Sequence, residues 1–190
     1  MDTTAISPTL PDLDLAFEAD DSLPPPLLEQ AGDLADPLQG AEQWHLLISS
    51  WLEQLADELA PELQASAYSL GLSLVGDDEI AELNQDWRDK PGPTDVLAFA
   101  AQDDGLEDAP PIPMPSSDEE AEPLELGDIV ISLETAARQA PEHDHDLRQE
   151  LLFLATHGLL HLLGWDHPDD ASLTAMLLRQ EQLLSTTQQR

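Results

Sequence analysis

The 190-residue chain contains no cysteine, which excludes disulfide bonds and thiolate metal ligands. Lysine and arginine together number six against forty aspartates and glutamates, so the formal net charge is −34. A chain this acidic lacks the basic footprint typical of proteins that bind nucleic acid or anionic membranes, so the charge taken alone argues against both, DNA included. It also lacks an apolar run long enough to cross a membrane and an N-terminal secretory signal. These absences favour a cytoplasmic protein without membrane contact.

Two acidic, proline-containing stretches divide the chain. Residues 1–40 carry prolines, aspartates and scattered leucines, and we expect them to form a disordered extension. Residues 102–125 have a similar composition and are predicted to be a long insertion between two strands. The remainder of residues 41–190 is predicted to be one functional domain.

Hydrophobic periodicity predicts the elements of that domain. The predicted helices cover residues 44–59, 77–87, 132–138, 144–163 and 169–184, and the predicted strands cover residues 68–74, 96–99 and 128–131. Asp77 and Ser132 are predicted to cap their helices, and Trp87 to lie on a buried helix face. Strands and helices mix without strict βαβ alternation, which favours an α+β fold with a small mixed sheet packed against helices.

Three of the six histidines fall within eleven residues, at His157, His161 and His167. The first two are one helical turn apart, so their side chains share a face of the predicted long helix. Gly164 can end that helix with a positive φ and return the chain toward the same point. Three converging imidazoles with an open fourth position are typical of a catalytic Zn²⁺ site, one per chain.

The spacing matches the metzincin protease signature, including its glycine. The general-base glutamate that follows the first histidine in those enzymes is replaced by Gly158. The pattern therefore predicts a metal-dependent hydrolase and disfavours a peptidase. The other histidines, His45, His143 and His145, are predicted to be solvated or packed rather than ligands.

The motif HGLLHLLGWDH at 157–167 resembles the signature of the YbeY family of bacterial rRNA maturation factors and single-strand endoribonucleases. The segments LNQDWR (83–88), PTDVLAF (93–99) and GDIVI (127–131) are similar to further blocks of that family. This resemblance implies a cytoplasmic, zinc-dependent endoribonuclease that acts at the 3′ end of small-subunit rRNA and in ribosome quality control. It also implies contact with the small ribosomal subunit and its assembly factors.

Carried over by position, the resemblance assigns the zinc ligands to the three histidines and a functional role to Arg88. The guanidinium of Arg88 suits phosphate oxygens, which it can bind in a bidentate fork. Asp128 and Asp166 are candidate proton carriers, and Asp166 could instead orient an imidazole. Two other functions stay open: a metzincin-like metallopeptidase, and a non-catalytic ribosome-assembly factor stabilised by zinc.

Overall fold

Four strands form one mixed sheet in the computed structural model, which describes residues 10–101 and 122–187. The strands are β1 (Asp12–Ala19), β2 (Ala67–Val75), β3 (Val96–Ala100) and β4 (Leu124–Ser132). Their order is β1-β2-β4-β3, with β1, β2 and β4 parallel and β3 antiparallel to β4 at the edge. The predicted α+β class with a small mixed sheet is confirmed.

Six α-helices accompany the sheet in the described residues: α1 (Pro25–Ala31), α2 (Gln39–Leu55), α3 (Asp77–Arg88), α4 (Leu133–Gln139), α5 (Leu147–Leu162) and α6 (Asp170–Thr187). The start of α5 is fixed by a capping box, in which Asp146 and Gln149 each accept a backbone N–H of the other. Ser132 caps α4, as predicted, by accepting the N–H of Thr135. Across the described parts of the chain, no helix combines the length and apolar character needed to cross a membrane.

The long helix α5 lies against the sheet and forms the centre of the main core. Its residues Leu151, Leu154 and Leu159 are buried, as are Ile129 and Ile131 of β4 in the same apolar cluster. A smaller cluster of Val75, Ile80, Leu97 and Val130 packs around α3. Because alternate residues of a strand point to opposite faces, adjacent residues of β4 belong to different clusters.

The predicted disorder of residues 1–40 does not hold for residues 12–35, which form β1, α1 and a short 3₁₀ turn (Gly32–Ala35). Leu13, Leu15 and Phe17 alternate with exposed residues along β1, and β1 pairs with β2 along its whole length. This period of two is the sequence signal of the strand, and it lies within an acidic composition that is otherwise typical of disorder. The acidic residues at alternate positions face solvent on an edge strand, where charge prevents unwanted strand pairing.

Two predictions about α3 were wrong. The Asp77 side chain does not cap its own helix; it accepts hydrogen bonds from Ser132 and Thr135 and pairs with Arg138 at 2.7 Å. The backbone N–H of Asp77 is instead bound by the carboxylate of Glu134 at 2.7 Å. Trp87 is 68% exposed rather than buried, and its ring meets the edge of Phe99.

The predicted insertion falls largely outside the described residues, which resume at Glu122. Its last two predicted residues, Leu124 and Glu125, already belong to β4. The division of the chain at residue 41 stays a prediction.

Candidate functional site

The three histidines of the motif meet at the C-terminal end of α5. One ring nitrogen of each of His157, His161 and His167 lies within 4.8 Å of the others. The turn that returns His167 to the helix is made by Gly164, whose φ is +91°. The backbone N–H of Trp165 donates to the carbonyl of Leu160 at 2.9 Å and closes this turn.

Gln180 of α6 sets the orientation of the His157 ring. Its side-chain N–H₂ donates to the carbonyl of Phe153 at 3.0 Å and faces the hydroxyl of Thr156 at 3.3 Å. Because these contacts use the amide nitrogen, the amide oxygen is left to accept the Nδ1–H of His157 at 3.2 Å. The other nitrogen, Nε2, therefore carries its lone pair toward the centre of the histidine cluster.

Burial keeps two of the rings neutral. It lowers the pKa of His157 below the ordinary value, and it lowers the pKa of His161 with help from repulsion by the other two imidazoles. Neutral imidazole is the form that binds a metal ion. His157 and His161 are therefore in the protonation state that a metal ion binds.

The spacing of the nitrogens fits a metal ion. The Nε2 atoms of His157 and His161 are 3.1 Å apart. Ligand nitrogens about 2.0–2.1 Å from a tetrahedral zinc lie about 3.3–3.4 Å from each other, so this pair needs little adjustment. Three nitrogen donors that line an open cleft could hold a metal ion.

Gly158 lies against β4, where a larger residue would collide. A Cβ added at Gly158 would stand 2.8 Å from Cγ2 of Ile129 and 3.3 Å from its Cγ1. A side chain at position 158 would therefore point toward the sheet rather than toward the histidines. The glutamate of a metzincin could not occupy this position without a shift of Ile129 or of α5.

Arg88 and Lys90 lie in the same cleft as the three histidines. The cleft has a volume of about 450 Å³, and its basic side is formed by these two exposed residues at the end of α3. Among the described residues, the ion pairs of arginine are those of Arg138 and Arg179, so Arg88 is not held by a neighbouring aspartate. Its guanidinium is available to an anion in the cleft.

Two carboxylates also line this cleft, Asp166 and Asp95. Asp166 is exposed, and its Oδ1 accepts the backbone N–H of His167 at 2.8 Å, so it braces the turn that carries the third histidine. Among the described residues, Asp166 makes no hydrogen bond to an imidazole. The ring of His157 is oriented by Gln180 instead. Asp95 is half-buried just before β3, within the PTDVLAF segment, and it was not among the predicted site residues.

Asp128 is not brought to the histidines. It lies on β4 between Gly127 and Ile129, and it lines a separate cavity of about 500 Å³ beside Trp87 and Phe99. Because Ile129 faces α5, its neighbour Asp128 must point to the opposite face of the sheet. The predicted role of Asp128 as a proton carrier at the metal centre is therefore contradicted by its position.

The remaining histidines have structural contacts. Nε2 of His45 lies 3.0 Å from the carbonyl of Leu13 and connects α2 to β1. His143 and His145 were predicted to be solvated. Both rings instead contact the buried carboxylate of Glu150.

The chain is similar to known proteins of one family. The family model described as "Endoribonuclease YbeY" matches residues 37–188. The chain belongs to the YbeY family. A YbeY endoribonuclease of Synechococcus sp. (strain RCC307) is 62% identical over 149 residues, covering 78% of this chain and 86% of that protein. The YbeY protein of Synechocystis sp. is 52% identical over 142 residues, covering 75% and 74%. That of Prochlorococcus marinus (strain MIT 9313) is 43% identical over 191 residues, covering 97% and 96%.

Proposed function

We propose that this chain is a zinc-dependent, single-strand endoribonuclease that acts in rRNA maturation at the 3′ end of small-subunit rRNA and in ribosome quality control. The observation that carries the proposal is one cleft that holds both the three-histidine cluster and the exposed Arg88 and Lys90. Membership of the YbeY family supports RNA as the substrate. The proposed partners are the small ribosomal subunit and its assembly factors, and the proposed compartment is the cytoplasm.

His157, His161 and His167 would hold the metal ion, which supplies a Lewis acid and an activated water when bound. Arg88 would bind two non-bridging oxygens of the scissile phosphate through the fork of its guanidinium. Lys90 would add a second positive charge at the same wall of the cleft. Local charge is needed here because the net charge of −34 repels an anionic substrate from the protein as a whole.

A proton must also reach the leaving oxygen, and two carboxylates line the cleft for this purpose. We favour Asp95 or Asp166 as the proton carrier over Asp128, because only the first two border the histidine cluster. Asparagine at each position removes the proton carrier but keeps an acceptor oxygen, so the variant of the true proton carrier should lose cleavage and keep its metal. Asp166→Ala also removes the acceptor for the His167 N–H, and a loss of metal in this variant alone would indicate a bracing role.

Arg88→Ala tests the proposal directly. We expect single-turnover cleavage of a short unstructured RNA to fall by about 10²–10³-fold, the scale for one preorganised donor to a developing oxyanion. Arg88→Lys should recover part of the loss, since an ammonium cannot fork onto two oxygens. Arg148→Ala is the matched control, because Arg148 is exposed on α5 and does not line the cleft. Wild-type cleavage by Arg88→Ala with a full metal load would contradict this role.

The two alternative functions give different results in the same experiment. A metallopeptidase would cleave casein rather than RNA, and chelator would stop it. A non-catalytic assembly factor would cleave neither, and chelator would lower only its thermal midpoint. A side chain at position 158 would point toward Ile129, which argues against a peptidase that needs a catalytic glutamate there.

A further inference from the structure

A second histidine cluster surrounds a buried carboxylate at the start of α5. Nδ1 of His143 lies 3.0 and 2.9 Å from the two oxygens of Glu150, and Nδ1 of His145 lies 2.8 Å from Oε2. One donor atom of each residue lies within 4.8 Å of the others. The arrangement depends on Asp144, whose left-handed backbone (φ +55°) turns the chain between the two histidines.

The carboxylate of this cluster is buried, and its two imidazoles are partly exposed to solvent. The side chain of Glu150 is 0% exposed, whereas those of His143 and His145 are 43% and 27% exposed. A buried carboxylate needs positive charge or hydrogen-bond donors to offset its loss of hydration. The two imidazoles, unlike the carboxylate, are in contact with solvent.

We propose that His143, His145 and Glu150 form a second binding site for a divalent transition-metal ion of the zinc type. Two imidazoles and one carboxylate are an established zinc donor set, and the remaining positions would be filled by water. The surroundings favour a cation, since Glu142, Asp144 and Asp146 lie in the same segment of the chain.

The second site is distinct from the three-histidine cluster. Glu150 precedes His157 by seven residues on α5, which places the two about 10 Å apart along the helix axis. The ring of Phe153 lies between them, with its centroid 5.7 Å from that of His143 and 5.8 Å from that of His145, and it also lines the cleft of the first cluster. An ion at the second site would tie the turn before α5 to the helix that carries the first. This inference does not depend on the proposed ribonuclease activity.

Zinc titration of the chelator-stripped, full-length protein tests the inference. Excess Mg²⁺ should be present, so that the many exposed carboxylates do not contribute weak zinc binding. We expect two equivalents of Zn²⁺ for the wild type and one for His143→Gln/His145→Gln. We also expect one equivalent for His157→Ala/His161→Ala, and none when both pairs are changed. Glutamine keeps an N–H₂ donor near Glu150, so the carboxylate stays hydrogen-bonded and the fold is preserved.

Circular dichroism of each variant confirms that the fold is retained. A second readout is the cobalt(II) spectrum, because a site with a carboxylate and two imidazoles absorbs differently from one with three imidazoles. A single equivalent in the wild type that survives in His143→Gln/His145→Gln would overturn the inference. The cluster would then be a metal-free pairing of two imidazoles with a buried carboxylate.

Discussion

The contact between Gly158 and Ile129 makes a quantitative prediction about the packing of α5. In a helix interior, Gly→Ala is favourable by about 0.8–1.0 kcal/mol because alanine loses less backbone entropy. Here the added methyl would stand 2.8 Å from Cγ2 of Ile129, with Cγ1 and Cδ1 at 3.3 and 3.4 Å. Overpacking of this kind costs about 1–3 kcal/mol. Ile129 is 1% exposed and branched at Cβ, so it cannot rotate away, and the upper part of that range applies.

The net loss of stability expected for Gly158→Ala is therefore about 1–2 kcal/mol, which lowers the thermal midpoint by about 2–8 °C. The assay is thermal and urea unfolding followed by circular dichroism on metal-free protein. Ala175→Gly is the control for the helix-propensity contribution, because Ala175 is exposed on α6.

A double-mutant cycle isolates the contact itself. Ile129→Ala alone should destabilise by about 2–5 kcal/mol. In that background the methyl of Gly158→Ala has room, so the second substitution should become stabilising. An unchanged or raised midpoint for Gly158→Ala in the wild-type background would refute the steric account. It would also remove the steric explanation for the missing protease glutamate.

Three further outcomes are expected. Gln180→Met should weaken zinc binding about 10–100-fold by removing the acceptor for the Nδ1–H of His157, and an unchanged affinity would exclude the positioning role. Deleting residues 1–40 should abolish cooperative unfolding, because it removes about 5–9 kcal/mol of apolar burial from three leucines (Leu13, Leu23 and Leu34). The hydrogen bond with Glu150 raises the pKa of His143, so its stabilising contribution is full below the ordinary histidine value and is lost as pH rises through the raised pKa. Above about 6.5, the stability that His143 adds to metal-free protein should decline as pH rises, so the difference between wild type and His143→Gln in urea unfolding should shrink over that range.

Local spacing was sufficient to predict the core of the candidate site. His157 and His161 share a helix face because the helical period places residues four apart on one side. Gly164 ends α5 because the turn needs a positive φ, which glycine adopts without strain. The strand β2 and the cap of α4 followed from alternation and from Ser132 in the same way. Each of these features depends on residues close together in the chain.

The tertiary structure decided what spacing cannot specify. Gln180 follows His167 by thirteen residues, on another helix, and only the packing of α6 on α5 brings its amide to His157. Asp128 faces away from the histidines because the pairing of β4 with its neighbours fixes which alternate residues meet α5. Glu150 has two imidazole partners because the turn at Asp144 brings His143 and His145 to it. Periodicity determines which residues share a face, but long-range packing determines what that face meets.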